Sequence, residues 1–429
     1  MLFFPWFLDI IVRIVYNINK IIGIVFTKKT EWEIMRNESV AILDIRSNEV
    51  SFSLGSKGVN GTFVFNDTHA ARYEGYLSNG FLDVASFRRA VTSVVTAVQQ
   101  RYVGVVSGVY VSVPSAFVTV QTMGHTISFP TKRKISAQDV DALFESGLNE
   151  LMAKERCVRR SAMYFALGDN RKYFSAETLY GVSTNTLKGA LCYYFVEENF
   201  TQTVTACLSE LGFTSIKFIP STLAQADYLL PKKKREGYAY LLDLGFLTTS
   251  VSVLYGDGIV HEETFDFGTG TILVAIMEGL GVEYSIAEEI LASANISGGA
   301  VPREMLWTAE QGDVSFSVME INDIIKCSLD GLCEEVDGFF SRYYKDKNAA
   351  VLMANPISLT GEGIVSCKGA AEHISRRLNR MTEIVSPDLP YYDKPIFSSR
   401  ISLLNMSTQE VVKNSFIQRI FNVFGGKKK

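Results

Sequence analysis

Two stretches of the chain share one hydrophobic pattern. Residues 39–54 (SVAILDIRSNEVSFSL) are an apolar run ending at Asp44, a polar turn, then alternation through Val50, Phe52 and Leu54. Residues 238–254 (YAYLLDLGFLTTSVSVL) repeat the plan, with Asp243 in the place of Asp44. Counting from each aspartate, serine falls at the seventh and ninth following positions: Ser51 and Ser53, then Ser250 and Ser252. An apolar run, a short turn and a period-two alternation predict strand, tight turn and antiparallel strand. The pair predicts a duplicated β-hairpin core, one copy per half.

Helical periodicity marks residues 84–101, and 105–114 (VVSGVYVSVP) reads as a buried strand. Residues 135–151 open with Ser136-Ala137-Gln138-Asp139, an N-cap and an acidic first turn for a helix. Together with short strands, that helix makes residues 117–182 a small α+β unit. A helix over 197–211 is followed by a strand over 215–219 that ends at Pro220. Beyond the second hairpin, 269–280, 285–294 and 319–344 read as helices. Residues 349–359 read as an apolar strand ending in Thr360-Gly361-Glu362-Gly363, with a helix over 368–379 after it.

Both ends carry amphipathic patterns. Residues 1–26 are strongly apolar but include Asp9, Arg13 and Lys20. A central charge costs roughly 2.5–3.5 kcal/mol on insertion scales, and each Leu, Ile, Val or Phe returns only about 0.3–0.6. Spanning is therefore not clearly favoured. Asp9, Arg13, Asn17 and Lys20 share one narrow sector of a helical wheel, which suits an interfacial helix. A helix packed on the protein, a true span, and a start codon misplaced ahead of Met35 stay open as other readings. At the C-terminus, Phe416, Ile417, Ile420, Phe421, Val423 and Phe424 occupy one arc, and Gln418, Arg419 and Asn422 the other. Gly425 and Gly426 end the helix, and Lys427, Lys428 and Lys429 follow. An aromatic apolar face beside terminal lysines suits an anionic membrane surface, each lysine adding about 1 kcal/mol. The competing reading docks this helix on the protein's own core.

At 429 residues the chain predicts two or more lobes. Its 47% hydrophobic and 21% charged residues are globular values, and a net charge of -4 gives no pointer to nucleic acid. The basic run Lys232-Lys233-Lys234-Arg235 reads as a solvated loop. Six scattered cysteines form no C-x-x-C pair and no ligand-like spacing to the four histidines, so no metal site is expected. No triad of catalytic residues is legible from spacing.

The order of parts resembles the actin/Hsp70/sugar-kinase superfamily, and within it FtsA. The markers are LLDLGFLTTSVSVLYGDGIVHEETFDFGTGTI, SIAEEI, ISLTGEG and PIFSSRISLL, with an inserted unit carrying ISAQDVD on its helix. The resemblance runs over roughly residues 38–405. It implies an α/β fold of actin-like, duplicated ribonuclease-H-like lobes, with an inserted subdomain of the SHS2 type and terminal amphipathic helices. The expected division is an N-terminal helix (1–36), a first lobe (37–116 and 183–220), the insert (117–182), a second lobe (221–405), and a linker with the C-terminal helix (406–429). The resemblance also implies binding of the C-terminal peptide of the division protein FtsZ around residues 285–303. It further implies head-to-tail polymers through the insert, and a peripheral position on the cytoplasmic face of the membrane at the division site.

Carried over by position, Asp44 and Ser47 belong to a first phosphate loop, and Asp243, Gly245, Thr248 and Thr249 to a second. Glu288 would face the ribose of ATP, and Gly361 and Gly363 would back the base. Any Mg would come with the nucleotide. The departures are large. Arg46 stands where the first loop needs glycine, Phe246 and Leu247 replace two glycines of the second, Ser250 replaces an aspartate, and Leu291 replaces a lysine. Phosphate loops use glycine so that backbone N–H groups can approach without a Cβ. Arg46 either pairs with a phosphate or fills the site with Asp243. The membrane-binding set is Phe416, Ile417, Arg419, Ile420, Phe421, Phe424 and Lys427–Lys429. Two other functions stay in view: a PilM-like adaptor of the type IV pilus platform, and an active phosphotransferase of the same fold.

Overall fold

The first hairpin forms where its pattern predicts. β1 (Val40–Ile45) and β2 (Glu49–Lys57) run antiparallel, with Asp44 opposite Ser51 and Ile42 opposite Ser53. β3 (Phe63–Arg72) extends the sheet, and β4 (Tyr76–Leu77) and β5 (Gly80–Phe81) form a short tongue. Asp83 caps α1 (Val84–Arg101) by accepting from the Ala85 amide at 2.8 Å, and the helix buries Phe87, Val91, Val94 and Val98. β6 (Gly108–Val113) then lies parallel to β1. The computed structural model describes residues 39–58, 62–102, 106–151, 155–298, 304–309, 312, 314–344 and 355–425, with side chains as far as 412. The expected N-terminal helix (1–36) and Lys427, Lys428 and Lys429 lie outside the described residues. So do the side chains of Phe416, Ile417, Arg419, Ile420, Phe421 and Phe424.

The inserted unit comprises β7 (Val118–Lys134), α2 (Ala137–Glu150), β8 (Arg156–Ala166), β9 (Lys172–Tyr173) and β10 (Ser183–Val196), in the sheet order β7-β10-β8-β9. Asp139 reaches back to accept from the Ser136 backbone N–H at 2.9 Å and from its hydroxyl at 2.8 Å, which starts α2. The expected division assigns 183–220 to the first lobe. Instead β10 is an inner strand of the insert, paired to β7 over residues 183–196 and to β8 over 188–196. Its residues Leu187, Leu191, Tyr193 and Phe195 face the core under α2, while Cys192 and Tyr194 face the body. A strand buried on both faces shows no alternation. The chain returns to the first lobe through α3 (Glu198–Glu210) and β11 (Ser215–Pro220), which lies parallel beside β6.

α4 (Ser221–Leu229) and the short α5 (Lys232–Arg235) carry the chain across to the second lobe. The run expected as a solvated loop is helical, and Arg235 is buried. Its guanidinium donates to the carbonyls of Leu230 and Gly256, both at 3.1 Å, and pairs with Asp227 and Asp257. Next come β12 (Tyr238–Leu244), β13 (Thr249–Tyr255), β14 (Gly258–Phe265), α6 (Thr269–Leu280), α7 (Tyr284–Ser293), β15 (Met305–Thr308), β16 (Ser315–Ser317) and α8 (Val318–Tyr344). β17 (Ile357–Thr360), α9 (Glu362–Ser366), α10 (Ala370–Arg377) and β18 (Thr382–Ile384) complete this lobe.

The two five-stranded sheets have one topology. β3-β2-β1-β6-β11 matches β14-β13-β12-β17-β18, each with three antiparallel strands followed by two parallel additions. Asp243 faces Ser250 and Leu241 faces Ser252, the same register as in the first hairpin. The chain is therefore an α/β protein of duplicated lobes.

α11 (Ser398–Gly425) returns from the second lobe to pack on β1, β2, β6 and α4. Residues 401–408 are buried on every side of the helix, Ile401, Leu403, Leu404 and Met406 joining the core between the lobes. The boundary expected at 405/406 falls inside this helix, and no linker precedes its last turns.

One buried carboxyl lies between lobe and insert. Glu262 on β14 accepts from the Ser252 hydroxyl at 3.1 Å, and burial pushes it up to about 7 against hydrogen bonds from Thr222 and Ser252. Its folded pKa lies above the ordinary glutamate value of 4.5, so this part of stability is full below that value and is lost as pH rises through about 7. Thermal melts across that window are expected to show a falling Tm in the wild type and a flatter profile in Glu262→Gln.

Candidate functional site

The two hairpin turns meet between the lobes and bond to each other. The Leu247 backbone N–H donates to the Ser47 hydroxyl oxygen at 2.9 Å, and the Ser47 carbonyl accepts from the Tyr76 amide at 3.1 Å. Gly75 is required there: its φ is +99°, and a Cβ would strike both the Ser47 carbonyl and the Leu247 side chain. Asp44, at the end of β1, is buried and accepts from the Ser399 hydroxyl at 2.5 Å. Asp243, at the end of β12, accepts from the Gln225 amide at 2.8 Å. Burial raises the Asp243 pKa, Gln225 and Arg46 oppose that, and Asp44 adds to it.

The second loop spends the donors a phosphate would need. The first N–H groups of a helix form a ready anion site. At α6 they serve the loop itself: Thr269 N–H donates to the Gly245 carbonyl at 3.1 Å and Gly270 N–H to the Phe246 carbonyl at 2.8 Å. Gly245 N–H donates to the Thr248 carbonyl at 3.0 Å. Thr248 is buried and hydrogen-bonds Tyr76, while the Thr249 hydroxyl donates to the Phe267 carbonyl at 2.7 Å.

Arg46, in the glycine position of the first turn, donates to Glu362 at 2.7 Å and also pairs with Glu49. Burial works against its charge, but Glu362, Glu49 and Asp44 outweigh it and its pKa is raised. The direct carboxylate partner of Arg46 is Glu362 rather than Asp243. Gly361 (φ +97°) and Gly363 pack against the end of β12, where a Cβ would meet the Asp243 carboxylate and the Leu244 side chain respectively. They let the β17–α9 turn approach, and so place Glu362 opposite Arg46.

The phosphate end of the cleft is accordingly small. A cavity of about 60 Å³ lies among Ile45, Ser47, Tyr76, Asp243 and Ser399. Beyond it a space of about 360 Å³ is lined by Arg72, Leu273, Glu288 and Leu291. Arg46, Phe246, Glu362 and Ile396 line both spaces and form the wall between them. Small-molecule sites measure roughly 300–1,000 Å³. The residues present do not fit a nucleoside triphosphate: its phosphates would need the space and the donors already taken. Glu288 is exposed in the larger space and accepts from the Tyr284 hydroxyl at 2.9 Å. Among the described residues no cluster of three or more His, Cys, Asp or Glu is arranged to hold a metal.

Further bonds close the lobes onto each other. Ser78 donates through its N–H at 2.6 Å and its hydroxyl at 2.8 Å to the two oxygens of Asp266, and Ser115 lies 2.8 Å from Thr264. Sequence reasoning did not single out Glu362, Glu49, Gln225, Tyr76, Ser399 or Asp266. One signal was available for Glu362. A carboxylate between two loop glycines and an arginine in the opposite loop are complementary departures.

No protein-family model matches the sequence, and no curated protein matches it. Solved structures do share its architecture. The structure of a PilM–PilN type IV pilus biogenesis complex is 13% identical, covers 87% of this chain and 99% of its own, and superposes with a TM-score of 0.54. An MreB of Spiroplasma citri bound to AMPPNP is 10% identical, covers 89% of this chain and 99% of its own, with a TM-score of 0.54. At these identities the likeness establishes the fold, which is actin-like.

Replacing Arg46 with Met leaves Glu362 without its ion-pair partner and Glu49 with Arg400 alone, 3.9 Å away. The loss expected in denaturant titration is on the order of 2–3 kcal/mol, below the roughly 3–5 for fully buried pairs because these side chains keep some exposure. Adding Glu362→Gln should recover part of it. A ligand at about a hundred times its Kd adds about 2.7 kcal/mol. Saturating Mg-ATP is nonetheless expected to leave the wild-type Tm unchanged; a rise of several degrees would contradict the filled cleft.

Proposed function

We propose that this chain is an FtsA-like scaffold that holds a polymer against the membrane without turning over nucleotide. The observation that carries this reading is the Arg46–Glu362 pair and the loop-to-loop bonds around it. Where ATP would join the lobes, the chain joins them itself. A body held closed in this way suits a passive connector better than a nucleotide-timed switch, and among the described residues no set in the cleft supports a phosphotransferase. The fold matches that of MreB bound to AMPPNP, but the phosphate end here is occupied by side chains.

On this reading the last turns of α11, with the Phe416, Ile417, Ile420, Phe421 and Phe424 face, bind the cytoplasmic surface of the membrane at the division site. Lys427, Lys428 and Lys429 add attraction to anionic lipid. One short helix binds weakly, so avidity in a polymer provides retention. The self-association surface is the inserted unit, where β7 is an edge strand, one side of its backbone pairing with no other strand among the described residues. The partner is the FtsZ C-terminal peptide, taken at the second lobe beside α7. There the β15–β16 hairpin and the start of α8 expose the apolar side chains of Met305 (54%), Val314 (44%) and Met319 (52%).

A PilM-like adaptor is the second reading, favoured by the fold shared with the PilM–PilN complex over 99% of that chain. Liposome co-sedimentation with FtsZ separates the two. Full-length protein should carry FtsZ into the pellet, and a version lacking 415–429 should leave it in the supernatant. No FtsZ in the pellet with either form would remove the division-tether reading. A reporter fused to 405–429 that stays cytosolic would favour the adaptor.

A further inference from the structure

The terminal helix leaves the body through a polar collar. Its segment 401–408 is held on all sides, and at the exit Glu410 is gripped by two cations from different parts of the protein. Arg159 on β8 of the inserted unit donates to it at 2.6 Å, and Lys217 on β11 of the first lobe donates at 3.0 Å. Lys217 also lies over the Tyr110 ring of β6 and bonds its hydroxyl at 3.2 Å. The collar therefore joins first lobe, insert and helix at one carboxylate. Burial raises the Glu410 pKa, but hydrogen bonds from Lys217 and Arg159 outweigh it and hold the carboxyl below its ordinary range, so it stays ionised at neutral pH.

Nothing in the sequence breaks the helix after the collar. Between Ser398 and Phe424 there is neither glycine nor proline, and the helix continues to Gly425. The portion beyond Val412 is about 20 Å long at 1.5 Å per residue. A surface-binding helix on a polar spacer would let the body tumble. A helix rooted in the core and collared at its exit does not.

We propose that α11 is a rigid stalk whose direction is set at the Arg159–Glu410–Lys217 collar, so that the inserted unit and the lipid-facing end of the helix are held at one fixed orientation. The lipid end rests on the tether reading above; the rigidity does not. The same helix touches both lobes and packs on α4, the other crossover between them. Polymer contacts made by the insert would then set how every copy faces the membrane, and a filament would present its helices in register.

The test is a distance measurement in solution, without membrane. Spin labels go at Thr126→Cys on β7 and Gln418→Cys on α11 of the full chain, in a Cys157→Ser, Cys327→Ser background that removes the two cysteines that are not buried. Pulsed dipolar spectroscopy should give one narrow distance distribution. Glu410→Ala, with an unchanged far-ultraviolet spectrum, should broaden it, and four residues (Gly-Gly-Ser-Gly) inserted after Val412 should broaden it further. A wild-type distribution as broad as that of the insertion variant overturns the stalk. A narrow distribution unaffected by Glu410→Ala overturns the collar as its cause. Vesicle sedimentation of the same three proteins reads the tether separately: loss of lipid binding in all three, beside a narrow wild-type distribution, would remove the membrane reading and leave the stalk.

Discussion

The half-buried guanidinium of Arg46 in the first hairpin turn is paired with a carboxylate 316 residues further along the chain, at Glu362. The pair spans the cleft from the first hairpin turn to the glycine turn after β17. Around it Ser47 meets Leu247, Asp44 meets Ser399, Asp243 meets Gln225, and Ser78 meets Asp266. Each contact is worth little alone. Together they satisfy the polar groups that a phosphate chain would otherwise engage, in a space of about 60 Å³.

Closure of the cleft has consequences for the rest of the body. The chain crosses between lobes at α4 and again at α11, and the two helices pack together. The lobes are thus joined both at the cleft and through these two crossovers. The inserted unit is tied in as well. Its β8 meets the Gly256–Gly258 turn of the second lobe so closely that a Cβ on Gly256, whose φ is +60°, would strike the Met163 carbonyl. Asp257 N–H donates to the Ala162 carbonyl at 3.1 Å in the same contact. Two lobes, insert and terminal helix thus make one connected body.

Some of this was legible in the residues. The Asp-turn-Ser-x-Ser pattern located both hairpins, because an apolar run, a short turn and a period-two alternation leave few other readings; the register, Asp44 opposite Ser51 and Asp243 opposite Ser250, came with the structure. Helices such as Thr269–Leu280 and Glu198–Glu210 were readable from their spacing alone. β10 was not, since a strand buried on both faces loses the alternation that identifies strands. Arg235 was not, since four consecutive basic residues read as solvated until the carbonyls of Leu230 and Gly256 close around one of them. The departures from a phosphate loop at Arg46, Phe246 and Leu247 were visible as departures, without their remedy.

The sequence by itself determined the local elements, the duplication and the loss of the glycine loops, because these depend on periodicity and on backbone freedom within a few residues. Tertiary structure alone decided what fills the cleft, where β10 belongs and how the last helix leaves the body. Those outcomes depend on charges and packing faces brought together from hundreds of residues apart, such as Arg46 with Glu362 or Glu410 with Arg159, and no local pattern encodes such a meeting.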